Sequence, residues 1–268
     1  MKTYVINIAS RPDRRNLMDI MLRENGFEKT TDDEGNDMSH RVNSETNVAP
    51  DLRVEWTTHW DYNKVGDEIT DEWMEENGFK LFDWEMDEGE ALSIDSAWAK
   101  WWSRPLTKGE IGCTLSHWAI WNDDEGPMTI LEDDAVFDSN MELQRDIAIE
   151  TLEVMDKDWD LLYLGRVEQT SQEKRVAKNL VKPNFSYCTY GYVLSKSGVE
   201  KIRKYNVHQG IIPADEFLSS TYIAHPRIDV SFKYPPALKA YALKPSIVHQ
   251  RDFEIVGSDT GLPKGAVK

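Results

Sequence analysis

The hydrophobic positions of this chain alternate between short apolar runs and stretches with helical spacing. Helical spacing covers residues 14–24, and Thr107 to Glu110 form a capping box that opens a second helix. Ser195 is the N-cap of a third helix. Continuous apolar runs predict buried strands at residues 4–8, 128–131, 160–165 and 187–194. Strands that alternate with helices predict an α/β fold with a mostly parallel central sheet flanked by helices.

The negative charge of the protein is concentrated in one segment. The 268 residues include 31 Lys and Arg and 48 Asp and Glu, for a formal net charge of −17. Residues 31–95 alone hold 20 acids and 4 bases, so the rest of the chain is close to neutral. Nucleic acid and anionic membrane surfaces both select a cationic face, so this composition argues against them as partners.

The acidic segment is also rich in tryptophan. Residues 31–102 contain seven of the ten tryptophans, whereas disordered acidic tails are poor in aromatic residues, so we expect the segment to fold. Its tryptophans anchor a local core under a solvated acidic face, or they form a lid or an acceptor platform on which sugar rings stack. We treat residues 1–268 as a single domain with residues 31–102 as an acidic, Trp-rich insert or lid.

Three sequence features bear on the location of the protein. No apolar run approaches the roughly 20 residues that span a bilayer, and the first ten residues read as a strand and turn, not as a signal peptide. The two cysteines, Cys113 and Cys188, make no disulfide framework and are interpreted as small buried thiols. These features predict a cytoplasmic protein.

Three consecutive acids, Glu132, Asp133 and Asp134, directly follow the predicted strand at residues 128–131. Ligands of α/β sheets bind beyond the carboxyl ends of the strands, so this position is a favoured one for function. Adjacent carboxylates repel one another, and a hard divalent cation with oxygen ligands removes that repulsion. Acid triplets are also common on surface loops, so the triplet predicts a cation site through its placement.

Basic residues and histidines provide further candidates. Arg11 and Arg14 follow the first strand, where guanidinium groups suit phosphate, although both also fit a solvated helix start. His117 lies inside a helix, where it is either a hydrogen-bonded structural residue or a ligand. Asp215 lies at a helix start after a proline turn, where a carboxylate also serves as a cap. His249 ends a short apolar run and is placed to complete a metal shell.

With these residues assembled, the chain resembles glycosyltransferase family 25, which includes lipopolysaccharide and procollagen galactosyltransferases. The most specific match is the stretch Gly109-Glu-Ile-Gly-Cys-Thr-Leu-Ser-His117. The other matching pieces are residues 4–8 with Arg11 and Arg14, then 130–134, 160–165, 191–195 and 213–218. The acidic segment is longer here than its counterpart in the family, which makes the acceptor the least defined part of the resemblance.

The resemblance implies a GT-A-like fold and inverting transfer of a hexose from a UDP-sugar, usually UDP-galactose or UDP-glucose. The implied acceptor is a hydroxyl of a glycan, a glycolipid or a hydroxylysine-type peptide, and the resemblance is compatible with a homodimer. The implied cofactor is Mn²⁺ or Mg²⁺, held by Asp134 with Asp133 and His249 as further ligands.

The resemblance also assigns roles to the remaining site residues. Asp215 follows the metal motif in the order expected of inverting GT-A enzymes and is the implied catalytic base, with Glu216 as its nearest rival. The implied donor-binding residues are Asn7, Arg11, Arg14, Ser116, His117, Glu132 and Asp133.

Two other functions fit the same residues. A catalytically silent module would bind the nucleotide sugar without transferring it, while the acidic segment engages a partner. A metal-dependent phosphohydrolase would use the same acids and arginines with water as the acceptor. Nucleotide binding without turnover identifies the first, and donor cleavage that is independent of any acceptor identifies the second.

Overall fold

The computed structural model describes residues 1–8, 10–25, 27–31, 37–41, 54–57, 70–93, 101–169, 172–252 and 257. Its helices are α1 (Pro12–Glu24), α2 (Asp71–Glu76), α3 (Glu88–Ser93), α4 (Lys108–Asp123), α5 (Met141–Met155), α6 (Lys196–Lys204), α7 (Ala214–Ser220) and α8 (Ile228–Lys233). Its strands are β1 (Lys2–Ile6), β2 (Phe27–Thr31), β3 (Asp37–Arg41), β4 (Val54–Thr57), β5 (Met128–Glu132), β6 (Ala135–Phe137), β7 (Leu161–Glu168), β8 (Lys174–Ala177), β9 (Leu180–Lys182), β10 (Ser186–Leu194), β11 (Ala240–Leu243) and β12 (Val248–Gln250).

The central sheet is mixed, so the prediction of a mostly parallel sheet was wrong. Within the described residues, ten strands form one sheet in the order β2-β3-β4-β1-β5-β10-β7-β11-β9-β8. Strand β1 is parallel to β4 and β5, and β11 is parallel to β7. However, β10 lies antiparallel between β5 and β7, and hairpins add antiparallel strands at both edges. An apolar run shows that a strand is buried but not which way it runs.

The local predictions around the centre of the sheet were confirmed. Helix α4 begins with the predicted capping box, in which the Thr107 hydroxyl accepts from the Glu110 N–H and the Glu110 carboxylate accepts from the Thr107 N–H. The Ser195 hydroxyl caps α6 by accepting from the Gly198 N–H at 3.1 Å. Each of the four predicted apolar runs corresponds to a strand of the sheet, with ends displaced by a few residues.

The sheet has a hydrophobic core on each face, and β5 contributes to both. Met128 and Ile130 pack on one face with residues of α4, α6 and α7. Leu131 packs on the other face with residues of α1 and α5. Because successive side chains of a strand point to opposite faces, the acids that follow Leu131 also diverge toward α4 and α1.

Part of the acidic segment belongs to the main sheet. Strand β3 and strand β4 lie within residues 31–102, and β4 pairs in parallel with β1. Trp84 and Trp102 are buried in the core on the α4 face of the sheet. Trp60 and Trp98 fall outside the described residues. Trp84 and Trp102 therefore belong to the main core of the sheet and not to a separate local core.

Strand β12 crosses closely over the middle of the sheet. An added Cβ at Gly165 would lie 2.0 Å from the Val248 carbonyl oxygen, and one at Gly191 would lie 2.8 Å from the Val248 side chain. Only glycine permits this approach of strand to sheet. The strand also pairs antiparallel with β6, which brings Gln250 opposite Ala135, next to the acid triplet. No helix in the described part of the chain has the length and apolar character that crossing a bilayer requires.

Candidate active site

The acid triplet lies where two parallel strands end side by side. Ile6 of β1 is in register with Glu132 of β5, so Asn7 and Asp133 are the next pair beyond the sheet. The Asn7 side-chain amide donates to Asp133 Oδ2 at 2.8 Å. The polar residues that follow β1 and β5 therefore meet at this edge of the sheet.

Both carboxylate oxygens of Asp133 are held by residues that follow β1. Arg14 Nη1 donates to Asp133 Oδ1 at 3.0 Å, and both side chains are buried. The same guanidinium also donates to the Gly257 carbonyl oxygen at 2.6 Å. Burial raises the pKa of Asp133, while the charge of Arg14 and the hydrogen bond from Asn7 oppose that rise. Asp133 therefore joins α1 to β5 and fixes the backbone from which Asp134 projects.

Asp134 is the acid that is best suited to a cation. Gln250 Nε2 donates to Asp134 Oδ2 at 3.0 Å, and the Arg251 N–H donates to the Asp134 carbonyl oxygen at 2.7 Å. The other carboxylate oxygen, Oδ1, is buried and has no hydrogen-bond donor among the described residues. Burial and the neighbouring charge of Glu132 raise the pKa of Asp134 to about 7. A buried carboxylate oxygen without a donor fits a hard cation such as Mn²⁺ or Mg²⁺.

Glu132 and Asp133 point to opposite faces of the sheet, and Glu132 lies on the face that α4 covers. His117 Nε2 lies 3.3 Å from Glu132 Oε1, and the Thr189 hydroxyl donates to the same oxygen. Burial acts to raise the pKa of Glu132, but the hydrogen bonds from His117 and Thr189 outweigh it, so the pKa is lowered. On the far side of the ring, His117 Nδ1 lies 2.8 Å from the Tyr192 hydroxyl. Glu132 is therefore held as a charged group beside Asp134.

Asp215 begins α7 and lies close to the acid triplet. The Cys188 N–H donates to Asp215 Oδ2 at 3.2 Å, from a point where β10 is irregular and the Cys188 φ angle is +65°. The Cys188 thiol donates to Gln250 Oε1 at 3.9 Å, and Gln250 in turn donates to Asp134. The neighbouring Thr189 donates to Glu132, so residues 188 and 189 link Asp215 to the acid triplet. Burial and the charge of Glu216 raise the pKa of Asp215 to about 7.

Glu216 is the other candidate base, and each of its carboxylate oxygens has a hydrogen-bond partner. Trp102 Nε1 donates to Oε1 at 3.1 Å, and His225 Nε2 lies 2.8 Å from Oε2. The Arg227 N–H donates to His225 Nδ1, so in the neutral ring Nε2 carries the proton and donates to Glu216. Glu216 thus connects the end of the acidic segment to α7, with a donor on each of its two carboxylate oxygens.

This geometry predicts that Glu216 contributes mainly to stability. In Glu216→Gln, one of two buried donors, Trp102 or His225, faces the new amide group instead of an acceptor. We expect the variant to lose about 1–3 kcal/mol of the free energy of unfolding, the usual effect of one unsatisfied buried donor. Urea denaturation measures this, with exposed Glu200→Gln on α6 as the control at within about 0.5 kcal/mol. A fully stable Glu216→Gln protein would contradict the assignment.

Three predicted site residues have other surroundings. The Arg11 guanidinium pairs with Asp13 of its own helix, at 2.8 Å between Nη2 and Oδ2. The Ser116 hydroxyl donates to the Gly112 carbonyl oxygen within α4. His249 is exposed, and strand alternation directs it to the face of β12 opposite Gln250, the residue that contacts Asp134. The structure therefore brings Gln250, not His249, to the predicted cation ligand.

Three residues that contact these acids, Gln250, Thr189 and Cys188, are not among the predicted site residues. Gln250 directly follows His249 on the short strand β12, and the sequence gives no sign of which of the two residues faces Asp134. The contacts of Cys188 and Thr189 depend on the irregularity in β10, and an uninterrupted apolar run gives no sign of it.

A buried sheet with an acidic cluster at its strand ends is the arrangement of a ligand-binding α/β protein. The family model for glycosyltransferase family 25 (LPS biosynthesis protein) matches residues 1–218. The chain therefore belongs to glycosyltransferase family 25.

Curated relatives resemble part of the chain. Procollagen galactosyltransferase 1 of Danio rerio is 35% identical over 159 residues, which are 56% of this chain and 26% of the relative. Procollagen galactosyltransferase 2 of Homo sapiens is 35% identical over 160 residues, with the same shares. The probable inactive glycosyltransferase 25 family member 3 of Bos taurus is 35% identical over 150 residues, 53% of this chain and 25% of the relative. The matched part is thus about a quarter of each relative's length.

Proposed function

We propose that the protein is a metal-dependent inverting glycosyltransferase that moves a hexose from a UDP-sugar to a hydroxyl group. The observation that carries the proposal is that Cys188 and Thr189 of β10 connect Asp215 with Glu132 and, through Gln250, with Asp134 at the end of β5. Two of these carboxyls, Asp134 and Asp215, have pKa values raised to about 7. Perturbed carboxyls that converge at the ends of strands are typical of catalytic sites.

Two residues of the triplet would have different roles at a bound cation, Asp134 as a ligand and Asp133 as its support. Asp134 Oδ1 would ligate Mn²⁺ or Mg²⁺, and the Gln250 amide keeps the other oxygen of the carboxylate in place. Asp133, bound on both oxygens by Asn7 and Arg14, would orient Asp134 as a supporting residue. When bound, such a cation supplies charge neutralisation for the diphosphate leaving group.

Asp215 would act as the general base. Inversion requires a base on the face of the sugar opposite the leaving group, where it takes the proton of the acceptor hydroxyl during attack. A carboxyl with a pKa of about 7 is matched to this task at neutral pH, since it is ionised in part and binds a proton readily. The N–H groups of Cys188 and Glu216 each donate to one carboxylate oxygen, and each oxygen keeps a further lone pair for the acceptor proton.

The relatives support galactose as the sugar. Two of them are named as procollagen galactosyltransferases, so UDP-galactose is the first donor to test, followed by UDP-glucose. A glycan, a glycolipid or a hydroxylysine-type peptide would provide the acceptor hydroxyl.

A panel of UDP-sugars, each with Mn²⁺ and a set of these acceptors, tests the proposal. We expect release of UDP that requires both Mn²⁺ and an acceptor, and a product whose anomeric configuration is inverted. Cleavage that is independent of the acceptor would identify a phosphohydrolase instead. A retained configuration would contradict the role of Asp215 as a base.

A second candidate function is binding of a nucleotide sugar without turnover. It is favoured by one observation: a relative named as probably inactive is as similar to this chain as the named galactosyltransferases are. Calorimetric titration of UDP with and without Mn²⁺ separates the two functions, since a binding module would take up UDP and release none from any donor.

A further inference from the structure

Three side chains beside the triplet have the composition of a soft-metal site. The Cys113 thiol, a ring nitrogen of His117 and a carboxylate oxygen of Glu132 all lie within 4.8 Å of one another. Cys113 and His117 are four residues apart on α4 and so share a helix face, and Glu132 is the last residue of β5. The three ligand atoms come from two rigid elements, which places them precisely.

The distances between the three ligand atoms are close to those of a tetrahedral metal centre. Ligand bonds of about 2.0–2.3 Å to Zn²⁺ at tetrahedral angles imply separations of roughly 3.3–3.8 Å between ligand atoms. His117 Nε2 and Glu132 Oε1 are already 3.3 Å apart. The Cys113 thiol lies within 4.8 Å of the other two ligand atoms, and modest side-chain rotations would shorten these distances to the tetrahedral values. A fourth position is left for water or another ligand, as in zinc sites with three protein ligands.

The surroundings of His117 support this use of Nε2. The ring is fully buried, and its Nδ1 lies 2.8 Å from the Tyr192 hydroxyl. Trp121 Nε1 donates to the same hydroxyl at 3.0 Å, which fixes the oxygen in place. A metal-binding histidine normally has such a partner on its second nitrogen, because the partner sets the orientation of the ring and the position of its proton.

We propose that Cys113, His117 and Glu132 bind Zn²⁺ or a similar borderline-soft dication at a site separate from the hard-cation site at Asp134. Thiolate and imidazole ligands favour Zn²⁺, whereas Mn²⁺ and Mg²⁺ favour oxygen ligands. Binding releases the Cys113 thiol proton to solvent, and His117 Nε2 gives up the proton that it donates to Glu132, so the neutral ring carries its one proton on Nδ1, facing Tyr192. A dication beside Asp134 opposes entry of a second one, so occupation of this site inhibits the Mn²⁺-dependent reaction.

Titration of the full chain with Co²⁺, without donor or acceptor, tests the site directly. A thiolate bound to Co²⁺ gives an intense near-ultraviolet charge-transfer band, which oxygen ligands do not produce. We expect this band at one equivalent in the wild type, its removal by added Zn²⁺, and its loss in Cys113→Ser. Cys188→Ser is the matched control, because burial and the charges of Glu132, Asp134 and Asp215 raise the pKa of both thiols. That variant keeps the band.

Zn²⁺ affinity and alkylation provide measurements that do not depend on one variant. We expect Cys113→Ser to weaken Zn²⁺ binding by more than about 10-fold, since removal of outer-shell partners alone has effects of that size. In the wild type, Zn²⁺ should protect Cys113 from iodoacetamide more than Cys188, as read by mass spectrometry. Without Zn²⁺, Cys113→Ser should retain the Mn²⁺-dependent turnover of the wild type.

Absence of the band in the wild type, its persistence in Cys113→Ser, or its loss in Cys188→Ser would each overturn the proposal. The absorption band and the alkylation pattern are read without turnover. Failure of the glycosyltransferase assay therefore leaves these results intact, and failure of the band leaves the assignment of Asp134 and Asp215 intact.

Discussion

Replacing Asp215 with asparagine is expected to lower kcat by about 10²- to 10⁴-fold, the usual contribution of a general base. The asparagine oxygen can still accept from the Cys188 N–H, which keeps the contact to β10, while the Glu216 N–H loses its acceptor and the site loses its proton acceptor. The dissociation constant for UDP should stay close to that of the wild type. Initial rates at saturating donor and calorimetric titration of UDP measure the two effects.

The pH dependence provides an independent check on Asp215. In the wild type, kcat should rise as the pH increases through about 7, because Asp215 must lose its proton to act as a base. The residual activity of Asp215→Asn should lack that rise. Exposed Asp158→Asn, on the turn before β7, is the control and should keep the wild-type profile. Full turnover in Asp215→Asn would show that another residue is the base.

Asp215 also affects stability, and the sign follows from its pKa. The folded-state pKa of about 7 lies above the ordinary value of 3.8, so the folded protein holds this proton more tightly than the unfolded chain does. The contribution of Asp215 to stability therefore falls as the pH rises from about 4 to about 7. The stability of the asparagine variant relative to the wild type should therefore be higher at pH 8 than at about pH 4, as measured by urea denaturation at both values.

Replacing Asp134 with asparagine is expected to lower Mn²⁺-dependent kcat/KM by more than about 100-fold, because the loss of a direct ligand exceeds the 10- to 100-fold effect of outer-shell partners. The stability of the fold should not decrease. Asp134 Oδ1 has no donor among the described residues, and burial with the charge of Glu132 raises the pKa to about 7. Removing that buried charge should leave the melting temperature at pH 8 unchanged or higher.

The neighbouring acid provides a matched contrast. Asp133→Asn should lose about 1–3 kcal/mol of the free energy of unfolding, because the carboxylate that accepts from both buried Arg14 and Asn7 is lost. The two variants differ by one position and should therefore separate function from stability. Unchanged Mn²⁺ dependence in Asp134→Asn, or a lower melting temperature in that variant, would contradict the assignment of Asp134 as the cation ligand.

The parts of the site that the sequence predicted are those set by local rules. The acids after residues 128–131 and the polar residues after the first strand were expected at the edge of a sheet, and Asn7 and Asp133 are hydrogen bonded there. The capping box at Thr107 was equally local, and it sets the start of the helix that carries His117. Motifs of this kind depend on chain direction and on spacing within one element.

The parts that the sequence did not predict depend on contacts between distant segments. The antiparallel course of β10 depends on its insertion between β5 and β7, and the apolar run is the same for either direction. The approach of β12 over Gly165 and Gly191 selects Gln250 over His249 as the neighbour of Asp134. A slip of one residue reverses the face of every side chain on a strand, so that choice requires the register.

The order of residues was sufficient to establish the α/β class, the membership of family 25 and the position of an acid triplet at the end of a strand. The role of each acid depends on the folded arrangement around it. Strand alternation sends Glu132 toward His117 on α4 and Asp133 toward Arg14 on α1, while Asp134 keeps one oxygen without a donor among the described residues. Three adjacent carboxylates are chemically alike in the chain, and they differ in the fold because each meets a different partner at a different depth of burial.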